Sequence, residues 1–332
     1  MSLAARWRYY RRILPAYLGS GRSQLTFWHE TPALNPRASV DAEAQARSPG
    51  PYYMSFREKA DYAGVYDAAG IPMLDYRGAI GLQYNPIAIA QWGLANFNLF
   101  CETSDAARLQ RTLTSADWLA ANLEQNQHGC WVWNHHFDWE YRETLKAPWY
   151  SGLAQGQGVS LLLRAHAHTG NVKYEQAAER AFVALTMPIS QGGVLFEDGE
   201  QNLWIEEYLV NPPTHILNGF MWALWGVFDF WRARADGAAK QIFDRGVATL
   251  LHDLPRFDTG YWSLYEQSGT RLKMLASPFY HRLHIVQLRV MANLTGDARF
   301  ADFADRWEAY TRLRTNRARA IAEKSIFKLF HY

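Results

Sequence analysis

Glu206 and Glu207 stand side by side in Trp204-Ile205-Glu206-Glu207-Tyr208, ahead of Pro212-Pro213 and the apolar stretch from Thr214 to Arg234. Neighbours in an extended chain point to opposite faces, so only one of the two carboxylates can look into a cleft. Within the stretch, Leu217-Asn218-Gly219-Phe220 places an amide in an apolar helix, where it needs hydrogen-bond partners. Pro278 to Gln287 opens a further helix, with Tyr280, His284 and Gln287 sharing one face at i, i+4 and i+7 while Arg282 points elsewhere. Carboxyl, phenol and imidazole groups brought together are the side chains that move protons. In Trp149 to Gly158, three glycines sit near the start of a helix, each about 1 kcal/mol worse than alanine in a helix interior. Something approaches closely there: either another helix at a tight waist, or a sugar facing Gln155 and Gln157. A solvated carboxylate pair and a satisfied polar core network are the plain alternatives for the other two blocks.

Other chemistries lack their residues. The chain has no GxGxxG, Walker A, HExxH, GxSxG or EF-hand pattern. Cys101 and Cys130 form neither a CxxC nor a Cys/His spacing, so no metal site is expected and reduced structural thiols are. With 34 Lys plus Arg against 32 Asp plus Glu, a net charge of +2 gives no bulk field for nucleic acid. No stretch of about 18 uncharged apolar residues suggests a membrane span. The start, with Arg6, Arg8, Arg11 and Arg12, lacks the apolar run of a secretory signal, so a cytoplasmic location is expected in a bacterium.

The elements that must hold these blocks repeat. Helices ending near 104, 170, 236 and 296 each lead through a polar turn into a second helix, the clearest turns being Thr169-Gly170-Asn171 and Thr295-Gly296-Asp297. That long period suits a toroid of inner and outer helices rather than a short-repeat solenoid. Between the pairs, Gly129 to Trp133, Gly192 to Phe196 and Gly260 to Tyr265 are expected as β-hairpins lining one mouth. The expected fold class is mainly α, an incomplete (α/α) barrel of about four hairpins. The expected divisions are a basic arm over 1–50, a small β cap over 51–83 with strands near Tyr52–Phe56 and Gly70–Tyr76, the barrel over 84–311 and a basic tail over 312–332.

Taken in order, Trp149-Tyr150-Ser151 through Gln157, Glu206-Glu207-Tyr208, Leu217-Asn218-Gly219-Phe220-Met221, Tyr280-His281-x-x-His284-Ile285-x-Gln287-Leu288, and Phe303 with Arg306-Trp307 resemble the C-terminal catalytic domain of the D-glucuronyl C5-epimerases of heparan sulfate and heparosan synthesis. The resemblance runs from about Tyr84 to Tyr310. It implies an (α/α) barrel acting on hexuronate units inside a polysaccharide, with Glu207, Tyr208, Tyr265 and Tyr280 at the positions of the family's proton transfer. It also implies substrate-binding roles for Tyr150, Gln155, Gln157, Asn218, His281, Arg282, His284 and Gln287. Ser268 stands where the family pattern has an arginine, so the substrate carboxylate needs another cation, for which Arg271 and Arg282 are the candidates. Fewer than about 90 residues precede the barrel here, whereas the animal enzymes carry an anchor and larger β domains.

The implied reaction makes physical demands. Removing a uronate C5 hydrogen leaves a carbanion beside a carboxylate, whose charge must be offset by donors or cations. Epimerisation then needs groups on both ring faces, and no redox cofactor. The expected partner is an anionic, heparosan-like polysaccharide, with no nucleic acid and no membrane span, and a homodimer is compatible with this. A lyase expelling the C4 oxygen, a hydrolase pairing Glu207 with Asp138 or Glu140, and a non-catalytic glycan-binding module are the competing readings.

Overall fold

A computed structural model describes Trp7 and residues 25–28, 30–38 and 49–331. The basic residues Arg6, Arg8, Arg11 and Arg12 lie outside the described residues. One-turn helices at Leu25–Trp28 and Arg57–Ala60 precede an antiparallel three-stranded sheet of β1 (Val65–Tyr66), β2 (Pro72–Asp75) and β3 (Leu82–Gln83). Tyr52 to Phe56 forms no strand: Met54 makes a single bridge to Leu34, and this segment packs instead as core against Trp222 and Trp225.

Eight helices then form four hairpins. They are α1 (Pro86–Thr103) with α2 (Ala106–Ala121), α3 (Gly152–Thr169) with α4 (Val172–Phe182), α5 (Leu217–Arg234) with α6 (Gly237–Phe257), and α7 (Pro278–Thr295) with α8 (Ala298–Thr311). Each turn uses the same device. A left-handed residue, Ser104, Gly170, Ala235 or Gly296, ends the first helix, and the next residue, Asp105, Asn171, Asp236 or Asp297, caps the second through its side-chain oxygen. The expected turns therefore fall where the sequence put them.

The inner helices α1, α3, α5 and α7 pack in that order. The first fourteen residues of α1, α3 and α5 are buried on every side, whereas the outer helices bury one stripe. The waist lies between α3 and α5. A Cβ on Gly156 would meet Ala223 Cα at 2.6 Å, and one on Gly226 would meet Gly156 Cα at 2.4 Å. Of the glycines in the Trp149–Gly158 block, Gly156 thus serves helix packing, while Gly152 lies against the Glu206 backbone and Gly158 against the Trp133 ring. A last helix, α9 (Arg314–His331), packs against α7 and α8, turning most of the basic tail into a docked element.

The connections carry hairpins β4 (Glu124–Gln125) with β5 (Trp131–Val132), β6 (Trp139–Glu140) with β7 (Thr144–Leu145), and β8 (Leu195–Glu197) with β9 (Leu203–Ile205). The expected hairpin over 260–265 is replaced by bridges Asp258 to Ser263 and Leu264 to Leu275, because its partner segment lies just before α7. No described helix is long and apolar enough to cross a membrane.

Candidate active site

Glu207 and Asn218 help to line a cavity of about 210 Å³ at the mouth of the helical arc. Packed interiors hold few voids larger than a water molecule, so this is not a packing defect. Its walls are strongly aromatic, with Tyr76, Phe137, Trp139 and Trp149 on one side, and Tyr208, Tyr265 and Tyr280 beside Glu207.

Local structure fixes the carboxyl. β9 ends at Ile205, and Glu206 turns away from the cavity to accept from the His215 backbone N–H at 3.1 Å and to pair with the His215 ring. Gly152 N–H donates to the Glu206 carbonyl at 2.9 Å, tying this segment to the start of α3. Glu207 therefore takes the opposite direction, into the cavity, as strand alternation requires. Gly219, in the first turn of α5, leaves it room: a Cβ there would sit 2.2 Å from Glu207 Oε2. The Asn218 amide reaches the same oxygen at a long 3.5 Å.

Opposing effects act on this group. Burial dominates and raises the Glu207 pKa to about 8; a hydrogen bond from Tyr208 lowers it, while Glu206 and Glu266 add to the rise. At neutral pH Glu207 is thus mostly a protonated acid, and once ionised it is a far stronger base than an ordinary carboxylate. Tyr265 is held between α5 and the segment before α7, its carbonyl accepting from Leu217 N–H at 3.1 Å and its N–H donating to Met274 at 2.7 Å. Burial first, then the nearby Glu207, pushes its phenol well above the usual value, so it keeps its proton. Tyr280, in the first turn of α7, packs edge-on against Tyr265 with ring centroids 4.8 Å apart.

The face shared by Tyr280, His284 and Gln287 divides by depth. Only Tyr280 reaches the cavity. His281 accepts from Ser263 N–H at 3.1 Å, contacts the Trp307 carbonyl at 3.0 Å and stacks on Trp262, and burial lowers its pKa to about 4. His284 lies 3.0 Å from the Ser263 hydroxyl, with burial driving its pKa well down. Gln287 donates to the Asn218 carbonyl at 2.9 Å and so braces α5 from behind. These three form a core network, not a cavity wall.

Five further candidates, Gln155, Gln157, Tyr150, Arg271 and Arg282, do not line the cavity. Gln155 is consumed by backbone groups, accepting from Trp133 N–H at 3.0 Å and donating to the Ala181 and Trp131 carbonyls. Gln157 accepts from Gln91 at 3.0 Å, and of the two only Gln91 reaches the cavity. Tyr150 donates to the Gly192 carbonyl at 3.0 Å, away from the cavity. Arg271 and Arg282 are exposed and do not line it.

Among the described residues, the cations that do line it are Lys59, Lys324 and Lys328, which the sequence blocks did not single out. Tyr141 was likewise overlooked: it lines the cavity, packs 4.6 Å from the Tyr208 ring and hydrogen-bonds the buried Glu266. Its one signal is the aromatic run Trp139-Glu140-Tyr141, and that of Glu266 is its place next to Tyr265. Among the described residues no group of three or more His, Cys, Asp or Glu is placed to hold a metal ion.

The chain matches the family described as "D-glucuronyl C5-epimerase C-terminus" over residues 125–309. It is 33% identical over 213 residues to a D-glucuronyl C5-epimerase of Caenorhabditis elegans, covering 59% of this chain and 34% of the relative. It is 27% identical over 198 residues to an uncharacterized protein of Methanocaldococcus jannaschii, covering 59% of this chain and 63% of that one. The chain thus spans about a third of the length of the first relative and under two thirds of the second. A solved structure of an unsaturated glucuronyl hydrolase from Bacillus sp. GL1, responsible for the degradation of glycosaminoglycan, superposes with a TM-score of 0.47 at 15% identity, covering 68% of this chain and 61% of that one.

Proposed function

Since this chain belongs to the D-glucuronyl C5-epimerase C-terminal family, we propose that it is a polysaccharide C5-epimerase converting D-glucuronate to L-iduronate units in a heparosan-like chain. The observation that carries this reading is the presence around one cavity of a carboxyl whose pKa is raised to about 8 and of a phenol, Tyr265, that keeps its proton. Glu207 in its ionised form takes the C5 proton, and the electron pair of the broken C–H bond moves into the substrate carboxylate. Tyr265 or Tyr280 then delivers a proton to C5 from the other face of the ring. The raised pKa of Glu207 makes its carboxylate a strong base, whereas that of Tyr265 makes its phenol a weak acid that yields its proton only to a base as strong as the C5 carbanion. Tyr208, hydrogen-bonded to Glu207, orients the base.

A lyase shares the first step and differs in losing the C4 oxygen. Helical-barrel lyases draw on a Tyr and a His, and here His281 and His284 are both committed to the core behind the wall. Incubation with heparosan is therefore expected to leave chain length unchanged and to produce no unsaturated, ultraviolet-absorbing ends. Accumulation of such ends would replace the epimerase reading with β-elimination.

A further inference from the structure

α9 lies beyond residue 309, where the family match ends. Ala320, Lys324 and Phe327 fall at i, i+4 and i+7 on its docked face, with Ala320 and Phe327 fully buried. The helix is fastened at its side by Tyr261, whose hydroxyl donates to Glu323 at 2.7 Å, while Arg319 pairs with Glu323 and stacks over the Tyr261 ring. An apolar residue at 324 would dock this face at lower cost, because enclosing an ammonium carries a desolvation penalty. The chain instead puts Lys324 there, with Lys328 one turn further along, and both line the cavity.

The three cavity lysines are not equivalent. Lys59 donates to the Phe27 carbonyl at 2.6 Å and has a direct carboxyl partner, Glu30, at 3.8 Å, although burial raises the pKa of Glu30 and lowers that of Lys59 to about 8. Lys324 donates one proton to the Leu275 carbonyl at 2.8 Å and lies 5.2 Å from the centre of the Tyr265 ring. The carboxyl that acts on it is Glu266, which burial shifts toward its neutral form and which Tyr141 already engages. Burial, with Lys328 alongside, lowers the Lys324 pKa to about 7, the signature of a cation still short of a full counter-charge.

We propose that Lys324, backed by Lys328, forms an anion subsite that seats the carboxylate of the hexuronate reacting at Glu207 and Tyr265. The assignment rests on the uronate reading above. Its chemical value is direct: the bound carboxylate supplies the counter-charge that draws Lys324 into its ammonium form, and when the C5 proton leaves for Glu207 that ammonium meets the charge building on the substrate carboxylate.

The test is calorimetric binding of a heparosan oligosaccharide and of its carboxyl-reduced, neutral counterpart. Lys324→Gln retains a donor for the Leu275 carbonyl, so it removes charge while keeping the helix docked; unchanged thermal melting checks this. The double variant Lys324→Gln/Lys328→Gln is expected to bind the uronate oligosaccharide at least about tenfold more weakly, and the neutral one as the wild type does. Lys324→Arg is expected to restore most of the difference. Equal weakening for both ligands, no weakening for either, or a wild type that does not prefer the charged ligand would overturn the subsite. Solvent exchange at C5 by the wild type is measured separately: charge-selective binding without exchange would sink the epimerase reading and leave the subsite standing.

Discussion

Two buried polar clusters sit in the same helical arc and behave in opposite ways. In one, Arg164 donates to Asp229 at 2.6 and 3.3 Å and to the Gly50 carbonyl at 2.8 Å, while Tyr53 donates to Asp229 at 2.6 Å. Every strong group there has a partner, and none of the three lines the cavity. In the other, Glu207 has a phenol and a distant amide, stays mostly protonated at neutral pH, and lines the cavity. Burial alone does not mark a site. A buried charge answered by its neighbours is architecture; one left incompletely answered beside a cavity is available for a substrate.

The sharpest way to break this contrast is to neutralise each cluster. Glu207→Gln is expected to lower the C5 exchange rate by about 10²–10⁴-fold while melting no earlier than the wild type, since it removes a carboxyl from a site that already disfavours its charge. Arg164→Met should do the reverse, costing about 3–5 kcal/mol by stranding Asp229 without its partner, and leaving activity per folded molecule intact. Denaturant titration alongside exchange rates separates the two. If Arg164→Met abolished exchange at full folding, the division between the clusters would fail.

Gly219→Ala comes next. Its Cβ, 2.2 Å from Glu207 Oε2, must push the carboxyl aside, and a roughly 10–100-fold fall in rate is expected with a smaller change in affinity. Wild-type kinetics in this variant would mean that the placement of Glu207 is not what the reaction depends on.

The pH response is a subtler probe. Because the Glu207 pKa is raised on folding, the native state holds more protons than the unfolded state between about 4.5 and 8. Its contribution to stability is therefore fully present below about 4.5 and is lost as pH rises through about 8. The rate at saturating substrate, where the bound carboxylate keeps Lys324 protonated, should move the other way, climbing to a plateau above about 8 as the base form of Glu207 fills. Glu207→Gln should flatten the stability trend across this window, as followed by thermal melting at a series of pH values. The smallest effect belongs to the core network: His281→Asn is expected to cost about 1–3 kcal/mol of stability with kcat/KM nearly unchanged.

How far this was readable in the sequence varies from block to block. The hairpin turns were plain because a left-handed residue followed by an Asp or Asn cap is a local signal, needing no knowledge of the rest of the chain. Alternation showed that only one of Glu206 and Glu207 could face a cleft, and the resemblance to the family singled out Glu207. The depth of His281, His284, Gln155 and Gln157 did not, since a polar residue on an inner helix reads the same whether it meets a ligand or a backbone carbonyl. Helical spacing fixes a shared face but not which end of that face stops short of the cavity, so Tyr280 and His284 were grouped although only one reaches it. Lys324 was hidden for a different reason. It follows the basic run over 312–319, whose charge fits a solvated helix end as well as an arm extending the cleft along a polyanion, and only the docking of Phe327 and Ala320 brings it to the mouth.

The central claim is that Glu207 and the neighbouring tyrosines move the C5 proton of a chain-internal uronate. Incubation with heparosan in D2O, followed by NMR, tests it directly. The account predicts deuterium at uronate C5 and new iduronate signals in chains of undiminished length with the wild type, and neither with Glu207→Gln. Intact protons at C5 in the wild type, or equal deuteration by both proteins, would contradict it.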